Sequence, residues 1–199
     1  MEQLTFVKCT IVLILVLSFY MFLENDYIND VKYVRSGIDN TDYLVRNRTD
    51  SKQAADMLST IRSKLTDVVE TMTDKFPKDS RVKRLKKRFN PYKISESSPT
   101  SEYTSYSVNK GEKIVFCLRS KDDQKLHDIN TITFVALHEL AHLMTESIGH
   151  TQEFWDNFRF ILKHAIQKGV YSFQDFQSKP IRYCGTNITD SPLKKDQIE

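Results

Sequence analysis

FVALHELAHLMTESIGHTQEFW, residues 134–155, decides how the rest of the chain is read. Within it, His138-Glu139-Leu140-Ala141-His142 forms an HExxH pattern. On a helix, residues four apart share a face, so both imidazoles point the same way one turn apart, with the glutamate beside them. Ile132, Val135, Ala136, Leu140, Leu143 and Met144 supply the buried faces of that helix, and Asp128 or Asn130 is placed to cap its start. A third histidine, His150, follows eight residues after His142 and directly after Gly149, where a glycine lets the chain turn back beyond the helix end.

Three neutral imidazoles and an open fourth position are the donor set of a catalytic zinc, whereas structural zinc is usually closed by four protein ligands. His138, His142 and His150 are therefore the expected ligands of Zn2+, and Glu139 the expected general base of a hydrolase, most plausibly a peptidase. Phe154, Phe158, Ile161 and Ala165 make one stripe of a following helix, flanked by Trp155 and Leu162, and these aromatics are expected to seat His150. Tyr171 and Tyr183 are candidate donors to an oxyanion, and Glu146 and Glu153 candidate acidic partners of a ligand imidazole. His127 reads as a surface residue, and His164 as paired or solvated. A chance HExxH on a polar surface helix explains poorly why two histidines and a glutamate interrupt an apolar face.

At 199 residues and 23.3 kDa the chain has room for one compact domain. A charged fraction of 28% with only five Pro and five Gly argues against wholesale disorder. The net charge of +3 is too mild to imply nucleic acid by itself. Cys9, Cys117 and Cys184 are too few for a disulfide framework or a cysteine knuckle, and Cys117 with Cys184 reads either as one bridge or as two buried thiols.

Leu4–Leu23 is twenty residues with one charge, Lys8, long enough to span a membrane, which takes about 20 apolar residues. No small-x-small cleavage pattern follows, so residues 1–23 read as an uncleaved single-pass anchor rather than a signal peptide or a buried helix. The flanking charges do not choose an orientation. Residues 24–51 read as a juxtamembrane linker or a helix continuing out of the span, 52–190 as the catalytic domain and 191–199 as a polar tail.

Ala54, Leu58, Ile61, Leu65, Val68, Met72 and Phe76 recur every three or four residues, the stripe of a long amphipathic helix ended by Pro77. Lys78–Arg88 is a basic run in which Val82, Leu85 and Phe89 fall at helical spacing. It reads either as a solvated helix face or as a contact for the phosphates of nucleic acid or lipid. Pro91–Thr100 reads as an exposed loop. Tyr103–Val108 and Lys113–Leu118 read as two strands joined by a tight turn at Asn109-Lys110-Gly111. This hairpin either holds an extended substrate on its edge or only closes the core.

The Val108-to-Arg119 turn and strand, the HELAH motif and His150 followed by Phe154-Trp155 come in an order that resembles the WLM (Wss1-like) metallopeptidases, relatives of the SprT and Spartan proteins. The resemblance covers roughly 103–158. It implies an α+β, minigluzincin-like zinc peptidase domain with a small sheet or hairpin packed on the HExxH helix, cutting a protein or peptide substrate. It implies the same three histidine ligands and the same base. The His142-to-His150 interval lies between the WLM and SprT spacings. The family's familiar members act on protein–DNA crosslinks, which an anchored chain does not match. The overall character resembles small membrane-anchored members from large DNA viruses, on a viral or host internal membrane. The competing functions are a catalytically silent assembly protein of a virion membrane and a DNA-dependent protease.

Overall fold

The computed structural model describes the backbone of residues 2–198 and the side chains of 6–21 and 30–198. Among the described residues the architecture is α+β: five α-helices with three small sheets. Helix α1 runs Glu2–Asn29. Its apolar residues from Phe6 to Met21 face outward without a protein partner. Among the described residues no helix is long and apolar enough to cross a membrane. Part of the expected 4–23 span lies outside the described side chains.

Of the stretch 24–51, read as a linker or as a helix continuing out of the span, the first part does continue α1 to Asn29, and the rest is structured rather than linker. After α1 come β1 (Val31–Arg35) and β2 (Asp42–Arg46), an antiparallel hairpin. It belongs to the domain because Tyr43 and Val45 enter the core. The strand signal is weak because the run is only five residues long and Leu44 breaks the polar alternation of Asp42 and Arg46 with those two.

Helix α2 (Ser51–Lys75) carries the expected stripe, with Ala54, Leu58, Ile61, Leu65, Val68 and Met72 all buried. Phe76 lies just past its end, its amide still donating to the Met72 carbonyl, and Pro77 stops the helix. Helix α3 (Ser80–Arg88) is the basic run, capped by Asp79 and anchored through Val82 and Leu85.

The expected loop at 91–100 contains a strand, β3 (Ile94–Glu96), which pairs in parallel with β5 (Lys113–Phe116). β5 is central and β4 (Tyr106–Val108) forms the edge, antiparallel to β5. The β4–β5 turn places Asn109 at φ 46° and Lys110 at φ 53°, both left-handed, with the Gly111 amide donating to the Val108 carbonyl at 3.0 Å. Only glycine fits at 111: a Cβ there would lie 2.2 Å from the Arg88 carbonyl oxygen.

β3 was unreadable as a strand because Ser95, Glu96 and Ser97 are polar yet buried. Glu96 accepts from the Arg46 amide at 2.7 Å and from Arg119 Nε at 2.8 Å, and Arg119 also reaches Asp50 at the start of α2. Burial pushes the Glu96 carboxyl above the usual range against the pull of both arginines. This network ties β2, β3, α2 and the segment after β5 together.

Helices α4 (Ile129–Met144) and α5 (Gln152–Gln167) pack on each other, and α4 also lies against α2 and α3. The chain ends in a hairpin, β6 (Ile181–Tyr183) and β7 (Thr186–Ile188), whose turn carries Cys184. Cys184 is bridged to Cys117 just past β5, so the disulfide reading holds. The tail is not free either: Leu193 is 2% exposed, and the Pro192 carbonyl accepts from Arg159.

Removing Glu96 takes the buried carboxylate from Arg119 Nε and from the Arg46 amide, leaving Asp50 as the one charge partner of Arg119 among the described residues. Glu96→Ala is expected to lower the unfolding free energy by about 3–5 kcal/mol, read from denaturant unfolding of the full chain in detergent. A loss below about 1 kcal/mol would mean that the network behaves like a surface ion pair.

Candidate metal centre

Helix α4 forms where expected, with the Asp128 carboxylate capping it through the amides of Asn130 and Thr131. Its residues Ile132, Ala136, Leu140, Leu143 and Met144 are buried, and Val135 is half-buried. His138 and His142 stand one turn apart with their Nε2 atoms 3.1 Å apart. The chain then leaves the helix, turns through Gly149 at φ 83° and brings His150 Nε2 to 3.1 Å from His138 Nε2.

Three nitrogens at this spacing fit a zinc ion, since two ligands roughly 2.0–2.1 Å from a tetrahedral metal lie roughly 3.3 Å apart. Burial, with the neighbouring His142 and His150, pushes His138 down to about 3. Burial, with His150 and Lys110, pushes His142 down to about 4. Both rings are therefore neutral at pH 7, the form that ligates metal.

The rings are seated by an aromatic, as expected. Phe154, fully buried, lies with its centroid 4.8, 4.3 and 4.7 Å from those of His138, His142 and His150, and Trp155 lies 5.6 Å from His150. The expected acidic partners do other work. Glu153 accepts from the amides of Glu146 and Ser147, and Glu146 pairs with Arg84.

The end of α4 is held from outside. Arg88 Nη1 donates to the Leu143 and Thr145 carbonyls at 2.9 Å each, Arg84 donates to the Met144 carbonyl, and Lys110 donates to the carbonyls of Thr145, Glu146 and Ser147. These carbonyls lack helical partners, and cations suit a helix C-terminus. Two arginines of the basic run thus serve the protein interior, while Lys78, Lys83, Lys86 and Lys87 stay exposed. This role depends on contacts some sixty residues away in sequence and leaves no local signal.

Glu139 is 4% exposed and accepts hydrogen bonds from the Ser107 amide and hydroxyl on β4. Burial pushes its carboxyl up to about 7 against those bonds. The outer edge of β4, unpaired in the sheet, borders a cavity of about 400 Å3 that contains His138, Glu139, His142 and His150.

Neither tyrosine is free to meet an oxyanion. The Tyr183 hydroxyl donates to the Cys117 carbonyl and pairs with Ser105, both at 2.8 Å, and Tyr171 is buried against Phe134, outside the cavities beside the histidines. His127 is half-buried rather than a surface residue, stacked on Tyr183 and accepting from the Cys184 amide. His164 is buried and paired with Thr71 at 2.8 Å.

The family model for the WLM domain matches residues 38–199. The chain belongs to the WLM family. WLM proteins are generally zinc metallopeptidases, and the three histidines are a group that could hold the ion. The match takes in β2, β3 and the C-terminal hairpin, well beyond the 103–158 over which the resemblance was legible.

The relatives come from large DNA viruses. An uncharacterized protein, R325, of Acanthamoeba polyphaga mimivirus is 33% identical over 186 residues, covering 92% of this chain and 94% of its own. Uncharacterized protein 136R of Invertebrate iridescent virus 6 is 37% identical over 84 residues, covering 40% of this WLM chain and 44% of its own. Uncharacterized protein 042R of Invertebrate iridescent virus 3 is 40% identical over 84 residues, covering 42% and 48%. No solved structure matches.

The loop before His150 depends on an ionised Glu153, whose bonds to the Glu146 amide and to Ser147 hold it down to about 2. A depressed folded-state value adds stability above the ordinary glutamate range, and this is lost as pH falls through about 2. The stability difference between wild type and Glu153→Gln is therefore expected to be constant above pH ~5 and to shrink toward pH ~2, in unfolding measured as a function of pH. A difference that grows on acidification would contradict this role.

Proposed function

We propose that the chain is a minigluzincin-like, zinc-dependent endopeptidase with His138, His142 and His150 as ligands and Glu139 as general base. The observation that carries this reading is the convergence of three imidazole nitrogens beside a buried glutamate, next to an unpaired strand edge. Zinc, when bound, supplies the Lewis acidity that acidifies a water and polarises a carbonyl. An extended peptide lies along the outer edge of β4, adding its backbone to the sheet. Ser107 aims the Glu139 carboxylate, which takes a proton from the attacking water and passes it to the leaving amine. Phe154 and the clamped loop keep the imidazoles in register, as a preorganised site requires.

Glu139→Gln is expected to bind one zinc per chain yet to cleave a peptide library at least ~100-fold more slowly than wild type. Chelation of the metal abolishes cleavage in both. His142→Ala is expected to lose the zinc itself, measured by metal analysis after gel filtration. Equal cleavage by wild type and Glu139→Gln would falsify the assignment of the base.

We further propose that α1 tethers this domain to a membrane, supported by the outward-facing apolar residues between Phe6 and Met21. After alkaline carbonate washing the full chain is expected to stay with the membrane pellet, while a chain lacking residues 1–29 moves to the supernatant. Release of both would overturn the tether.

A further inference from the structure

A second cavity, of about 320 Å3, opens beside the histidines and differs in character from the first. Both share Thr104, Ser105, His138 and Glu139. The first continues past Lys110 and Ser147 and is the more polar of the two. The second is walled by Val135 on α4, Trp155 and Phe158 on α5, and Ile188 on β7. Val135 and Ile188 are half-buried and Trp155 is 37% exposed, so apolar surface there faces water until something covers it.

The C-terminal wall of this cavity is held in place before any ligand arrives. Tyr183 is fixed by its bond to the Cys117 carbonyl, and the β6–β7 turn is tied to the same segment by the Cys117–Cys184 bridge. A preformed wall adds affinity because little ordering is left to do on binding.

Resting on the peptidase reading, we infer that this cavity receives the side chain of a substrate residue flanking the scissile bond and selects a large apolar one, such as Leu, Met or Phe. A peptide whose reacting carbonyl sits at Glu139 necessarily has its flanking residues next to the two cavities that meet there. Ile188, on the hairpin, sets the size of side chain accepted.

Trp155 is the only tryptophan in the chain and lines this cavity, so its fluorescence reports occupancy without turnover. The test uses the full-length, zinc-loaded Glu139→Gln protein in detergent, titrated with blocked tetra-alanine amides in which one Phe is walked through the four positions. At one position Phe is expected to tighten binding by roughly tenfold or more over the all-alanine peptide. Adding Ile188→Phe, which fills the cavity, is expected to cut that preference below about threefold, whereas adding Ile188→Ala preserves or extends it.

Equal affinity for all peptides overturns the inference, as does a preference unchanged by Ile188→Phe. Metal content near one zinc per chain shows that the Ile188→Phe site is intact; if it is not, the Ile188→Ala variant decides, and loss of its Phe preference overturns the inference. Failure of the hydrolytic reading appears separately, as equal cleavage by wild type and Glu139→Gln.

Discussion

The convergence of the three histidines depends on how the C-terminus of α4 is terminated. Two imidazoles on one helix are easily placed; the third must come from a chain that leaves the helix, reverses and returns. The last carbonyls of α4 are occupied by Arg84, Arg88 and Lys110, and the amides that follow by Glu153. With both kinds of backbone group satisfied, the loop adopts one path and Gly149 sets its final direction. Helix α3, seated through Val82 and Leu85, delivers that clamp and so sets a strongly basic element against the most apolar helix of the domain.

A second constraint works from the other side. Glu139 is buried, and a buried carboxylate needs partners. Ser107 provides them from the edge strand, so β4 and α4 are tied to each other at the glutamate of the HExxH motif. The tight turn at Asn109-Lys110-Gly111 serves both constraints: it sets the register of β4, and it carries Lys110 to the helix end.

Much of this was legible from local patterns. HExxH, the glycine before His150, the Phe154-Trp155 pair, the stripe of α2 and the turn at 109–111 each obey short-range periodicity or turn chemistry, and each stands where expected. The misses share a cause. Glu96, Arg46 and Arg119 look like surface residues in sequence and become core only because they meet one another across more than twenty residues of chain. Arg84 and Arg88 look like a charged face, yet bond backbone at the other end of the fold. Tyr183 looks like a free donor until its partner carbonyl at Cys117 is known. Long-range pairing of polar groups carries no periodic signature, and it accounts for the unread β3 and the reassigned tyrosine.

Only Asp30 separates the end of α1 from the start of β1, and the hairpin that follows is pinned through Arg46 to the buried Glu96. A catalytic domain on a long disordered leash sweeps a large volume and meets whatever diffuses past. Here the leash is one residue. Wherever α1 is held, the three-histidine cleft is held within the same short distance, because no slack chain lies between the helix and the first hairpin.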